Sequence, residues 1–169
     1  MRALVEKAEG YEVALVASNK PDAPGLSWAR DRGLQTWAAD SKGVDKEEYD
    51  QRLSAALVDH GVGTIALAGF MRILTPWFVH EWRGRIINIH PSLLPKYRGL
   101  DTHARALAAG DKLAGCSVHI VTEELDAGEV LGRAEVPIEQ GDTAATLETR
   151  VLAAEHALYP RIMSEFVNR

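Results

Sequence analysis

Short runs of β-branched and other apolar residues alternate along this chain with segments of helical period, and this alternation restricts the fold more than any other feature. Glu12 to Ala17 (EVALVA) has the length of a strand and is ended by Ser18-Asn19-Lys20-Pro21. Pro24 to Arg32 reads as a helix stopped by Gly33, a residue that adopts the left-handed conformation closing many helices. Leu34 to Ala38 is a second strand. Asp45 with Glu48 resembles a helix-starting capping pair, and Tyr49, Leu53, Ala56 and Leu57 then share one helical face that ends at Gly61. Thr64 to Ala68 and Arg85 to Ile89 are two further strands. Strands separated by helices of this size imply right-handed crossovers and a parallel sheet with helices on both faces.

Beyond Gly110 the pattern changes. Gly115 to Val121 and Glu129 to Val136 are separated only by Thr122–Gly128, which is short enough for an antiparallel hairpin. Asp142 or Thr143 can cap a last helix whose stripe is Leu147, Val151, Ala154, Leu158, Ile162 and Phe166. Pro160 lies inside that stripe and is expected to kink or interrupt it. The fold class is α/β: a Rossmann-like, mostly parallel sheet flanked by helices, with a C-terminal antiparallel hairpin.

Composition narrows the function classes. A length of 169 residues fits one domain, residues 1–169, and no linker, repeat or low-complexity tract divides it. A net charge of -5 argues against nucleic-acid or membrane-surface binding, which favours a basic face. Cys116 is the only cysteine, so an internal disulfide and a multi-thiolate zinc site are both excluded. The histidines show no metal-ligand spacing, and no metal is expected. The first ten residues carry Arg2, Glu6, Lys7 and Glu9 and do not read as a signal peptide. Val62 to Leu74 is too short to cross a bilayer, which takes about 20 apolar residues. A cytoplasmic small-molecule enzyme fits these limits; the oligomeric state is not legible.

Chemistry concentrates in two segments. In Asn88–His103 (NIHPSLLPKYRGLDTH), Asn88 and His90 stand two apart at the end of a strand and leave the same face. The carboxyl end of a strand is where ligands bind in parallel α/β sheets. An amide beside an imidazole offers an oxyanion donor and a proton carrier active near neutral pH. An isolated Asn-x-His commonly does no more than satisfy backbone groups. Pro91, Pro95, the basic turn Lys96-Tyr97-Arg98 and His103 in the same loop shift the reading towards a site. The second segment, Thr122–Gly128 (TEELDAG), crowds Glu123, Glu124 and Asp126 into a turn. The first two read as solvated, whereas the sharp Asp126-Ala127-Gly128 turn can aim Asp126 inward. There it would orient His90 and favour its protonated form. His103 either lies near the site or caps the helix beginning there. His119 reads as a packed neighbour rather than a catalyst, and Trp28, Trp37, Trp77 and Trp82 as packing residues. Ser92 lacks the G-x-S-x-G elbow of a serine hydrolase.

These segments, with SNKPDAPGL (Ser18–Leu26), LAGFMRILTPWFV (Leu67–Val79), SVHIVTEELDAG (Ser117–Gly128) and EHALYP (Glu155–Pro160), resemble the folate-dependent formyltransferase family in order and spacing over nearly the whole chain. The continuation KYRGLDTH, the SNK turn and EHALYP are similar to its glycinamide ribonucleotide branch rather than its tRNA branch. The resemblance implies transfer of the formyl group of 10-formyltetrahydrofolate, a co-substrate rather than a bound cofactor, to the amino group of glycinamide ribonucleotide. Asn88, His90 and Asp126 then match the catalytic trio. Met71, Arg72, Ile73 and Leu74 match the folate-binding segment. Val121, Thr122, Glu123, Glu124 and Leu125 match the other pterin wall, and Glu155 matches a residue that binds the ribose hydroxyls.

The same resemblance implies a first strand and a glycine-rich phosphate-binding turn that are missing here. Met1 to Leu4 reads as already inside the following helix. We expect the missing elements upstream of Met1, with a truly shortened form as the alternative. Two other activities stay open at this point: hydrolysis of the same folate, and a non-catalytic folate-binding remnant.

Overall fold

A computed structural model describes residues 1–169. Its elements are α1 (Arg2–Glu6), β1 (Val16–Ser18), α2 (Pro24–Arg30), β2 (Thr36–Ala38), α3 (Lys46–Asp59), β3 (Ile65–Leu67), α4 (Pro76–Glu81), β4 (Ile86–His90), α5 (Thr102–Ala108), β5 (Leu113–Ile120), β6 (Val130–Pro137) and α6 (Ala144–Val167). The expected α/β class holds. Strands and helices alternate through β4, and the hairpin β5–β6 and a long helix follow.

Local chemistry sets the helix ends. The Asp45 carboxylate caps α3 by accepting from the Glu47 and Glu48 amides at 2.9 and 3.1 Å. Thr75 caps α4 ahead of Pro76, and its hydroxyl accepts from the Phe78 amide. Of the two proposed caps for α6, Thr143 takes the position and makes a reciprocal box with Thr146. Asp142 instead receives the Arg150 guanidinium, which holds its carboxyl well below the usual carboxylate range.

The strands form two sheets. β1 and β2 pair in parallel with Val16 opposite Thr36. The second sheet has the order β3-β4-β5-β6, with β3 parallel to β4 and the last two joints antiparallel. β1 and β3 do not pair. Between them lies a cavity of about 680 Å³, lined by Val13–Asn19 on one side and Val62–Phe70 on the other. The expected strand Glu12–Ala17 therefore shortens to Val16–Ser18, because residues 12–15 face this cavity and have no ladder partner.

Three clusters make the core. The largest joins Ile87, Cys116, Val118, Leu147, Val151, Leu158 and Ile162 between the four-stranded sheet and α6. Full burial of each large side chain contributes about 1.5–3 kcal/mol. α6 comes so close that a Cβ at Gly132 of β6 would stand 2.5 Å from Ile162 Cδ1. The second cluster packs α3 and α4 against β3 and β4 through Tyr49, Leu53, Leu57, Phe78 and Trp82. The third, Val16, Leu26, Trp28 and Ala29, belongs to β1 and α2.

One expectation is corrected. Pro160 does not interrupt α6, which runs unbroken for 24 residues. Proline has no N–H for the carbonyl four residues earlier, and that carbonyl, of His156, accepts from Lys7 Nζ at 3.1 Å instead.

Candidate functional site

Asn88 and His90 occupy the carboxyl end of β4, as their spacing predicts. Asn88 stands opposite Leu67 of β3, so the segment leaving β3 and the loop leaving β4 start side by side. His90 is only 5% exposed. Its Nε2 lies 2.9 Å from the Tyr97 carbonyl and its Nδ1 lies 3.3 Å from Asp126 Oδ2. Both ring nitrogens thus face acceptors, an arrangement that an imidazolium satisfies in full.

Asp126 reaches this point from the turn between β5 and β6. Its φ of +50° is a left-handed conformation that aspartate tolerates better than most residues. The Gly99 amide donates to its Oδ2 at 2.9 Å, which ties the turn to the loop after β4. Gly128 closes the turn against β5, where a Cβ would fall 1.8 Å from the Ile120 carbonyl oxygen. Only glycine permits that approach.

His119 joins the group from β5. It is the cross-strand partner of Asn88, and its Nε2 lies 3.3 Å from Asn88 Nδ2 and 3.4 Å from Asp126 Oδ1. Its Nδ1 donates to the Ile120 carbonyl at 2.9 Å. Burial lowers the His119 pKa against the raising pull of the Ile120 carbonyl and of Asp126. With the Nδ1 proton given to Ile120, Nε2 of the neutral ring carries the lone pair and accepts from Asn88. His119 is therefore packed, as expected, but it also orients Asn88, which sequence reasoning missed. The signal would have been the register of β4 on β5, and no single-strand pattern contains it.

The loop after β4 is rigidly held. Ser117 Oγ donates to the Ser92 carbonyl at 2.7 Å and accepts from the Leu94 amide at 3.0 Å. Arg133 donates twice to the Leu94 carbonyl. Ser92 Oγ is used up on the Lys96 carbonyl at 2.6 Å, consistent with a structural rather than nucleophilic serine. His103 lies within α5, after the cap position held by Asp101. Its Nε2 is buried with no hydrogen-bond partner, and burial lowers its pKa.

Of the four residues in the candidate folate segment, Met71 and Ile73 are 77% and 72% exposed. Arg72 and Leu74 turn inward, Leu74 onto the second core cluster. On the facing turn Val121 is half-buried, and its amide donates to the Ile86 carbonyl at 2.9 Å. Thr122, Glu123 and Glu124 are solvated, and Leu125 presents an exposed apolar side chain next to Gly99. Glu124 reaches Arg98 across the two loops. Glu155 lies on α6, half-buried. Burial, with the Glu148 charge adding and the Met1 amino group opposing, pushes its pKa up to about 7. Asn88, His90 and Asp126 do not line the large cavity beside β1, whereas Leu74 of the candidate folate segment does. No helix is long and apolar enough to cross a membrane.

Residues 1–163 match the family model described as formyl transferase. The chain is 47% identical over 157 residues to the phosphoribosylglycinamide formyltransferase of Escherichia coli, covering 92% of this chain and 74% of that protein. It is 46% identical over 166 residues to the trifunctional purine biosynthetic protein adenosine-3 of Drosophila melanogaster, covering 96% of this chain but only 12% of that one. The crystal structure of phosphoribosylglycinamide formyltransferase from Bacillus halodurans superposes with a TM-score of 0.93 at 33% identity, covering 99% of this chain and 89% of that chain. The same enzyme from Brucella melitensis gives 0.90 at 47% identity, over 97% and 87% of the respective chains.

Proposed function

The chain belongs to the formyl transferase family, and from that premise we propose that it transfers the formyl group of 10-formyltetrahydrofolate to the amino group of glycinamide ribonucleotide, in purine biosynthesis. The observation that carries the reading is the convergence of Asn88, His90 and Asp126 at the carboxyl end of β4.

The amine attacks the formyl carbon, and the carbonyl oxygen becomes an oxyanion. Asn88 Nδ2 has two hydrogens. One is given to His119 Nε2, and the other is free for the oxyanion. The attacking nitrogen must lose a proton and the departing folate nitrogen must gain one. Asp126 takes the first proton, directly or through water, and returns it to the leaving nitrogen. His90 holds Asp126 in place from one side while Gly99 N–H holds it from the other. Collapse of the tetrahedral intermediate breaks the bond to the folate nitrogen and leaves the formyl group on the amine. No covalent enzyme adduct is needed.

Met71, Arg72, Ile73 and Leu74 form one wall for the folate ring, with Val121, Thr122, Glu123, Glu124 and Leu125 as the other. Glu155 receives the ribose hydroxyls. Residues 1–169 act as one catalytic domain in the cytoplasm, with small-molecule partners only.

The test is a product assay on this chain with both substrates. Formylated glycinamide ribonucleotide and deformylated folate are expected to form together, in equal amounts. Folate consumption that proceeds without nucleotide would replace the reading by hydrolysis. Folate binding without any turnover would replace it by a non-catalytic binder.

A further inference from the structure

We propose that Asp50, a residue of α3 outside the reacting trio, positions the segment 68–74 and thereby sets affinity for the folate co-substrate. The inference rests on the reading of Met71–Leu74 as the folate wall.

Residues 68 to 74 make no backbone–backbone hydrogen bond at all. A segment that leaves a strand without ladder or turn bonds depends on its side chains for its shape. Its one polar tie runs to Asp50, which is 0% exposed. Arg72 Nη2 donates to Asp50 Oδ1 at 3.3 Å, and the Thr75 amide donates to Asp50 Oδ2 at 2.8 Å. One carboxylate therefore holds both the middle of the segment and its exit into α4. The Arg72 guanidinium also lies 4.1 Å from the centre of the Tyr49 ring, the residue preceding Asp50 on α3.

This anchoring explains the side-chain pattern of the wall. With Arg72 drawn inward, its neighbours Met71 and Ile73 both point out and stand exposed. Two large apolar side chains held open to solvent by an inward arginine make a preformed surface for a flat apolar ring. A buried carboxylate is strongly unfavourable without its cation, so Asp50 restrains Arg72 from swinging out. A merely structural ion pair joining α3 to α4 would instead act on the whole fold and on both substrates alike.

The experiment compares the full chain with Asp50→Asn, using 10-formyltetrahydrofolate and glycinamide ribonucleotide as separate titrants. Displacing a positioning contact by a fraction of an ångström costs about tenfold or more, so the folate Kd and KM are expected to rise by about that factor. The nucleotide Kd stays within about twofold and kcat at saturating folate within about threefold, since neither depends on the wall. Amide hydrogen exchange at Thr75, whose N–H is held by the Asp50 carboxylate, accelerates, while that of β4 and β5 is unchanged. Equal weakening of both substrates, a fall in kcat with folate KM unchanged, or unaltered folate affinity would each overturn the inference. If Asp50→Asn fails to fold, Asp50→Glu keeps the charge but pushes the guanidinium outward, and a rise of about threefold in folate Kd is expected. An unchanged Kd for Asp50→Glu overturns the inference in that case. Absence of folate binding by the unaltered chain refutes the wall itself; intact binding with no effect of Asp50→Asn refutes only the role of Asp50.

Discussion

Glu155→Gln tests how α6 handles a half-buried carboxyl, and its effect on stability has a definite sign. Burial, reinforced by Glu148, raises the Glu155 pKa from 4.5 to about 7. Between those two values the folded protein holds a proton that the unfolded chain has released. Stability from this group is therefore fully present below pH 4.5 and is lost as pH rises through about 7. At about 1.4 kcal/mol per unit, the full window would correspond to about 3 kcal/mol. The group keeps partial contact with water, and screening reduces the expected loss to about 1–2 kcal/mol. Glutamine cannot titrate and stays neutral throughout. Urea denaturation of both proteins at pH 4.5, 6, 7 and 8.5 gives the difference directly. The unaltered chain should lose about 1–2 kcal/mol relative to Glu155→Gln across the series, with most of the change below pH 7.5. A difference that is flat with pH, or that grows in favour of the unaltered chain as pH rises, would refute the reasoning.

Asn88→Ala removes the proposed oxyanion donor, so kcat should fall about 10²–10³-fold with substrate affinities little changed; rapid-quench single turnovers check this, and a loss confined to KM would contradict it. Tyr159→Phe deletes a hydroxyl lying 2.9 Å from the Leu67 carbonyl and 3.0 Å from that of Ile87. It should lower the urea midpoint by the equivalent of about 1–3 kcal/mol without changing the slope, and a shift below about 0.5 kcal/mol would contradict that estimate of the bond. Burial depresses the His119 pKa, so below pH 6.5 the unfolded chain takes up a proton that the folded one refuses. Stability then falls with pH by up to about 1.4 kcal/mol per unit. Thermal unfolding of His119→Gln between pH 7.5 and 5 should lack that part of the slope, and parallel curves would count against it.

The trio was legible because each member carries a local signature. Asn88 and His90 share a face by strand alternation, and Asp126 precedes the only residue type that fits beneath β5 at Gly128. The roles of His119 and Asp50 were not legible. His119 meets Asn88 only through the antiparallel register of β4 on β5. Asp50 meets Arg72 only because α3 packs beside the loop that follows β3, joining residues 22 apart. The same limit explains Pro160: the sequence marks the missing N–H, but the compensating Lys7, just past the end of α1, stands 149 residues before His156. Strand length is likewise decided by neighbours, and Glu12–Leu15 have the composition of a strand without a partner to make them one.

The bond from the Gly99 amide to Asp126 has a further consequence. One of its ends lies in the loop after β4 and the other in the turn between β5 and β6, and the same carboxylate oxygen faces His90 Nδ1. The spacing of His90 and Asp126 is therefore fixed by two loops clasped to each other rather than by either one alone, and a change that loosens one loop is felt at the other.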